Sequence, residues 1–568
     1  MNKTLSIVAF VCGWATTPTV HGQFRFIKAH SEAENRILGS NFLAFDSYRN
    51  HRMSTARMAL LNEGDTTFNA QSYSYFVWNN PEHFGYRRTK TMNNKVILKT
   101  GDHFLTHPNR FWSYSDPEEL DEFAMNPVLD LAYGPNDNGL NEYLLNGRGV
   151  EVIAQMGNQV ALYSTVLDYQ AINPSPIKEF MARRGTLPGV GLYSTNFAGY
   201  TDYFFATGYL DAKLLEKTKA NGDLRYRINA TLGYDQQHIG SGFRSLLLSN
   251  FAGPTAFLQV QYQIGPFKYQ NLFKELVRDM SMDSSRTYNK KYMAMHRGTL
   301  EFEKLGLELG FSESIIQSRP DNGIDPSYLN PVIFYRSVER DLGSPDNILI
   351  ALDANWKHKN VMLYGQFVLD EFHTSKIIAQ PTHSYNKHGY QLGAYVQLPK
   401  TWASYGFVQL EYNQVRPFTY SHYSANHYTH RLQSLAHPLE SNFKEWLLRG
   451  YWVPRVFPRW SVNALVTYAR KGYNDGVNNL GGDILEGYRS AANLEDAPLL
   501  QGIQQTRWNT QFSVDYTLQP GATIGLQYRS FSSSGYRAKN PWALEESYQH
   551  LALTVRWNMG ERREGMVF

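Results

Sequence analysis

Apolar and polar residues alternate with a period of two through much of the C-terminal half of this chain. Phe512, Val514, Tyr516 and Leu518 alternate with Gln511, Ser513, Asp515 and Thr517. Ile524, Leu526 and Tyr528 alternate with Gly525, Gln527 and Arg529, and Leu551, Leu553, Val555 and Trp557 with Ala552, Thr554, Arg556 and Asn558. Each run reads as a β-strand with one apolar and one polar face. Soluble β-sandwiches share that alternation, so the connections carry the distinction. Those at 519–521, 454–458, 399–404 and 357–360 are short, whereas those at 532–548, 471–506, 418–438 and 371–387 are long. Short turns on one rim and long loops on the other are the signature of a transmembrane antiparallel β-barrel, with the short turns in the periplasm.

The polar faces then have an address. An arginine on the lipid face near the bilayer midplane costs about 2–4 kcal/mol, so Arg529 and Arg556 are expected to face the lumen. A strand-built span also has to close, because an open sheet edge in lipid leaves backbone groups unsatisfied. Roughly nine strands are countable in 347–558 and about as many candidates in 149–314, predicting an all-β barrel of about 18 strands over 147–560. The connections at 170–185 and 214–221 are long enough for either rim. Ahead of the barrel, 23–146 read as a partly helical segment. Residues 32–61 are helix-compatible but interrupted at Gly39, and Pro-containing loops follow. This segment is expected either to pack on the barrel or to plug its periplasmic mouth. A charged tail, 561–568, ends the chain.

Residues 1–22, MNKTLSIVAFVCGWATTPTVHG, combine one lysine, a short apolar run and the pattern Val20-His21-Gly22, as a secretory signal peptide does. No later stretch supplies the roughly 18 consecutive apolar residues of a transmembrane helix. The only cysteine, Cys12, lies in the signal, which removes disulfides, thiolate metal sites and cysteine nucleophiles from the mature chain. With 55 Lys and Arg against 51 Asp and Glu, the near balance argues against a general nucleic-acid binder. The 38 Tyr, 32 Phe and 11 Trp suit either the aromatic girdles of a membrane barrel or sugar-stacking surfaces.

Residues 409–438, QLEYNQVRPFTYSHYSANHYTHRLQSLAHP, begin as a strand and become a cluster of Tyr, His, Asn and Arg with almost no acid. Val408, Leu410 and Tyr412 are expected at the lipid, Gln409, Glu411 and Asn413 in the lumen, and the residues from Phe418 onwards in an extracellular loop. There Tyr420, Tyr423 and Tyr428 offer flat faces, and Arg416, His422, Asn426 and His430 offer donors, a mixture that holds hydroxylated and carboxylated sugars. Arg416 suits a uronate carboxylate, but the plainer expectation pairs it with Glu411. His422, His427 and His430 match no strong zinc spacing, and no metal or cofactor is expected.

Residues 236–254, QQHIGSGFRSLLLSNFAGP, set Gly240 and Gly242 around Phe243-Arg244, ahead of an apolar run too short to span a membrane. The expectation is a loop folded into the barrel with Arg244 paired to an acid. Residues 318–347 read as another ordered extracellular loop, with Arg336 and Glu339 paired. Catalysis lacks support: Ser421-His422 and His383-Ser384 are adjacent, but there is no G-x-S-x-G and nothing marks a carboxylate pair.

The segments HIGSGFRSLLLSNFAGP, SYLNPVIFYRSVERDLGSPDN, LYGQFVLDEF, NKHGYQLGAYV and LEYNQVRPFTYSHY with LAHPLESNFKE follow in that order within 148–444. Together they resemble the Wzi-like capsule-assembly family of outer-membrane β-barrels, and within it the gliding-motility RemB-like branch. The pattern G-x-G-F/Y-R-x-L-L-L-S falls on Gly240, Gly242, Phe243, Arg244, Leu246, Leu247, Leu248 and Ser249. Where the capsule branch usually has Trp-Gly-Pro-Gly, this chain has His238-Ile239-Gly240-Ser241-Gly242. The resemblance implies a barrel of about 18 strands with N-terminal helices at the periplasmic end and, in the capsule branch, lectin-like retention of exported polysaccharide. The expectation is a monomeric barrel in the outer membrane of a Gram-negative cell, in contact with outer-membrane lipid and neither an enzyme nor a nucleic-acid binder. It binds or organises a surface polysaccharide or a cell-surface adhesin, in capsule assembly or attachment or in gliding motility, through Arg244, Arg416, Tyr420, His422, Asn426, Tyr428 and His430. A channel for small or saccharide solutes is the alternative, and needs an open lumen.

Overall fold

The computed structural model describes residues 121–557, apart from 136–141, 157–158, 197–198, 221–223, 283–285, 320–322, 371–378, 400, 424, 458, 520–521 and 536–546, together with the strand pieces Thr91–Met92, Lys95–Leu98 and Trp112–Asp116. The expected signal peptide 1–22, the helix-compatible stretch 32–61 and the tail 561–568 lie outside the described residues.

Eighteen strands close into one antiparallel ring. In chain order they are β1 (Asp121–Pro135), β2 (Glu142–Met156), β3 (Val160–Ile172), β4 (Thr201–Thr218), β5 (Leu224–Asp235) and β6 (Thr255–Ile264). There follow β7 (Phe267–Met282), β8 (Tyr288–Phe302), β9 (Leu307–Gln317), β10 (Asn347–His358), β11 (Val361–Asp370) and β12 (His388–Gln397). The last are β13 (Ala403–Val415), β14 (Phe443–Pro454), β15 (Trp460–Tyr473), β16 (Ile503–Gln519), β17 (Ala522–Ser534) and β18 (Ser547–Trp557). Each pairs with its sequence neighbour, and β18 returns to β1 from Leu553↔Tyr133 to Trp557↔Leu129. The start of β1 pairs instead with Trp112–Asp116. Among the described residues two α-helices, α1 (Ser175–Arg184) and α2 (Tyr335–Leu342), lie in connections.

The wall begins before residue 147, since β1 and the start of β2 fall in the segment that the sequence assigns to the N-terminal region. Proline is depleted from strand interiors, and Pro127 hides β1. It shares the outward parity of Tyr133, while Asn126, Val128, Asp130 and Ala132 are buried on the lumenal side.

Connections of two to five residues gather on one rim, including 157–159, 219–223, 265–266, 303–306, 359–360 and 398–402. The strand ends at the other rim are joined by the chain segments 173–200, 236–254, 318–346, 371–387, 416–442, 474–502 and 535–546 and by the shorter 136–141 and 283–287. The two early hairpins are thereby oriented: 173–200 joins the long-loop rim and 219–223 the short-turn rim.

Outward positions are apolar, with Leu232, Leu309, Leu352, Leu392, Leu448 and Leu526 exposed. Val408 and Leu410 are exposed as well, while Gln409, Glu411, Asn413 and Arg529 are buried inside. Trp356, Trp402, Trp452 and Trp460 stand near the short turns, and Trp446 and Trp508 towards the long-loop rim. An apolar band between two aromatic rows is how a transmembrane barrel meets the membrane interfaces. No helix among the described residues is long and apolar enough to cross a membrane.

The largest core lies within the ring. Leu246, Leu247 and Leu248 of 236–254 and Tyr420, Tyr428, Leu435 and Leu439 of 416–442 pack against Leu272, Leu276, Met293, Met295, Ile316 and Leu349 on the inner wall. Fully burying each such side chain contributes about 1.5–3 kcal/mol. That gain draws these two loops inward and explains why β7 to β10 carry apolar residues on a lumenal face.

A plugged lumen beneath an aromatic rim

Two carboxylates of the wall hold the first loop. Glu411 of β13 accepts the backbone amides of Phe243 at 2.7 Å and Arg244 at 3.1 Å, the Tyr364 hydroxyl at 2.8 Å and the Asn413 amide at 2.9 Å. Gly242 is required here, because a Cβ on it would lie 2.6 Å from Glu411 Oε2 and 2.5 Å from Gln391 Oε1. Glu445 of β14 pairs with Arg244 at 3.3 Å, as expected of that arginine, and also with His437 Nε2 at 2.8 Å and Asn413 Nδ2 at 3.1 Å. Since His437 belongs to 416–442, Glu445 ties both inward loops to one point.

The second loop is held by its carbonyls. Lys291 donates to His427 O at 2.6 Å, Lys387 to Ser421 O at 2.9 Å, and Lys471 to Leu439 O at 2.7 Å and Ser441 O at 2.8 Å. Phe418, Tyr420, Arg431, Leu432, Glu440 and Asn442 all have positive φ. Such conformations cost of order 1–3 kcal/mol each and persist because surrounding contacts over-determine the path.

This burial relocates the predicted binding residues. Tyr420, His422, Asn426, Tyr428 and His430 are each at most 2 % exposed and Arg416 is 9 % exposed. Tyr420 N donates to Asp370 at 2.5 Å and its hydroxyl to Leu246 O at 2.6 Å, and its ring stacks on Tyr428 at 5.9 Å. Arg416 does not pair with Glu411, whose oxygens are taken by the 236–254 loop and its supports. It donates instead to Asn386 O at 2.9 Å and Ala497 O at 3.1 Å. Asn426 accepts Ser318 Oγ at 2.7 Å and donates to Pro345 O at 2.9 Å. The histidines diverge: His427 Nδ1 accepts the His422 amide, and His430 Nδ1 that of Val277, each at 3.0 Å. Burial, with Lys291 close by, pushes His427 down to about 3, so it stays neutral. Among the described residues no group of three or more His, Cys, Asp or Glu is placed to hold a metal.

Three long loops meet above this plug. At the C-terminus of α1, Arg184 donates to Asp483 from Nη1 and Nη2 at 3.0 and 2.8 Å and from Nη2 to Glu440 at 2.5 Å, joining 173–200, 416–442 and 474–502. Beside them lies an aromatic cluster. Tyr385 meets Tyr488 edge-on at 5.2 Å, Tyr423 meets Tyr488 at 6.1 Å and His422 at 4.3 Å, and the Arg489 guanidinium lies 3.7 Å from the centre of the Tyr423 ring. Tyr423 is 38 % exposed and Arg489 is exposed. Of the tyrosines singled out in 409–438, Tyr423 alone reaches solvent. Its partner Arg489 is 66 positions away, and nothing in the local sequence marks it.

No family model and no curated protein sequence matches the chain. Solved structures are similar in fold. Wzi, an outer-membrane protein involved in group 1 capsule assembly in Escherichia coli and a carbohydrate-binding β-barrel, aligns over 93% of this chain and 97% of its own, at 11% identity and a TM-score of 0.48. The outer membrane protein OprD from Pseudomonas aeruginosa aligns over 77% of this chain and 92% of its own, at 12% identity and a TM-score of 0.39. OccD3 (OpdP) of the same organism aligns over 77% and 90%, at 12% identity and a TM-score of 0.39. These likenesses are of fold.

Proposed function

We propose that this chain is a plugged outer-membrane barrel that binds or organises a surface polysaccharide or a cell-surface adhesin at its long-loop rim, without catalysis. The observation that carries this reading is the combination of a lumen packed by 236–254 and 416–442 with a rim that exposes Tyr423 and Arg489 together. An aromatic face suits the apolar side of a pyranose ring, and an adjacent guanidinium suits a uronate carboxylate. Polysaccharide is favoured over adhesin by that chemistry, and the role we propose is capsule assembly or attachment, with a gliding-motility role the second reading that the segment resemblance supports.

The test is retention of surface polysaccharide on cells lacking the gene and on cells restored with wild type or with Tyr423→Ala combined with Arg489→Ala. Shedding on deletion, rescue by wild type and failure of rescue by the double variant are expected. Full rescue by the double variant would remove the rim site, and unchanged glycan on deletion would move the reading to an adhesin. Regular single-channel steps from the wild-type protein in planar bilayers would establish the channel alternative instead.

A further inference from the structure

The connection 318–346 does not stay above the rim. Cross-strand register places the exposed Phe267, Leu300 and Leu309 of β7, β8 and β9 in one outward row. The same parity turns Asn271, His296 and Glu313, which are also cross-strand partners, to the outside. All three are nonetheless buried, because α2 lies over them. Glu313 accepts the amides of Tyr335 at 2.8 Å and Arg336 at 2.9 Å at the start of α2. His296 Nε2 lies 3.0 Å from Glu313, and its ring stacks on Tyr335 at 4.4 Å. Tyr328, Tyr335 and Val338 pack on the outward Ala294, Ile315 and Ile348. Lower still, Phe334 meets Phe311 at 6.3 Å, and the Tyr269 hydroxyl donates to Pro331 O at 2.5 Å. Phe311 stands five residues beyond the 303–306 turn, so at a 3.3 Å rise and a 40° tilt the contact lies roughly 13 Å above the short-turn rim.

We propose that 323–346 forms an exterior flap whose lower part, 329–334, is solvated by the hydrocarbon of the membrane. That part consists of Leu329, Val332, Ile333 and Phe334, all exposed, with Val332 at 76 % and Phe334 at 61 %, whereas α2 above it turns the charged Arg336, Arg340 and Asp341 outwards towards the long-loop rim. The lower part continues the lipid-facing surface of Leu300 and its partner Leu309, and of Leu352, the partner of Phe311. This continuity makes lipid the occupant rather than a protein. The flap also accounts for the polar patch beneath it: Asn271, His296 and Glu313 facing hydrocarbon would be costly, and the flap buries all three. Its two ends are clamped at the long-loop rim by Arg319, which donates to both oxygens of Asp346 at 2.8 and 3.0 Å. Asn426 of the lumenal loop bonds Ser318 and Pro345 at the same place, so the plug and the flap share a root. The inference rests on the membrane placement of the barrel and not on its binding a glycan.

The test uses single cysteines in a chain whose native Cys12 is replaced by serine. Val332→Cys and Phe334→Cys carry a nitroxide in the reconstituted barrel, and collision rates with oxygen and with a water-soluble nickel chelate are measured. Leu309→Cys on the wall and Val477→Cys, at a loop position 90 % exposed, are the lipid and water references. Both flap positions are expected to match Leu309→Cys, with oxygen collisions several-fold above those of Val477→Cys and nickel collisions several-fold below. Matching Val477→Cys would overturn the proposal. Spectral broadening that disappears on dilution with unlabelled protein would also overturn it, by putting a second copy on the face. Heat-modifiable gel migration establishes that each variant retains its barrel, and Val332→Cys, the more exposed position, decides if Phe334→Cys does not.

Discussion

Arg184→Ala is expected to release the rim assembly while leaving the wall intact. The Arg184 side chain is 3 % exposed and that of Glu440 is 1 % exposed, so truncation leaves a buried carboxylate with only the more distant Arg183 guanidinium, at 3.8 Å. Breaking such a pair costs about 3–5 kcal/mol. Asp483 keeps 26% of its side chain in solvent, which places the estimate in the lower half of that range. At 1.4 kcal/mol per decade, that is about two to three decades of lost protection for amides in α1 and 474–502. Hydrogen exchange read by mass spectrometry measures it, with peptides from β16 and β17 as the unchanged reference. A loss below tenfold would refute the reasoning, because it would mean the three loops are held by packing alone. The same tether is pH-dependent. Burial works to raise the Asp483 carboxyl, but the Arg184 guanidinium overrides it and holds it well below the usual carboxylate range. The contribution is therefore full above the unfolded aspartate value of about 3.9 and is lost as pH falls through the lower folded value. Wild-type exchange in α1 should be constant from pH 7 to 5 after correction for the intrinsic rate, and should rise below about pH 4.

Lys471→Met removes the donor shared by Leu439 O, Ser441 O and Gly482 O. At about 1–3 kcal/mol for each buried group left unsatisfied, 416–442 and 474–502 should become cleavable by protease at least tenfold faster than in wild type, with heat-modifiable migration retained. Gly242→Ala sets a methyl against the backbone oxygen of Arg244, 2.6 Å away, as well as Glu411 and Gln391. Overpacking of that kind costs about 1–3 kcal/mol, and limited proteolysis should show 236–254 opening before 416–442.

Period-two alternation and the inequality of the turns made the ring and its two unequal rims legible, and the glycines and short apolar run of 236–254 made the inward fate of that loop legible. Arg244 met its acid and Arg336 its Glu339, the latter at 2.8 Å. The candidate residues in 409–438 were legible as an unusual group but not as a buried one. Tyr, His and Asn serve equally in a wet binding surface and in a hydrogen-bonded plug, and local composition does not separate the two. The flap was illegible for a related reason. Asn271, His296 and Glu313 each break the outward apolar pattern of a strand, and only when β7, β8 and β9 are laid side by side do the three interruptions form one patch.

The sequence by itself therefore determined the class of structure, a closed strand-built span with one face to lipid and one to the lumen. That information is local: each strand's alternation and each turn's length are set by residues adjacent in the chain. Only the tertiary structure decided whether the lumen is filled, which tyrosine reaches solvent and what covers the outer wall. Those outcomes depend on contacts between residues far apart in the chain, such as Glu411 with Phe243 and Arg184 with Asp483. A long loop gains the free energy to fold inward or outward only from the wall that it meets.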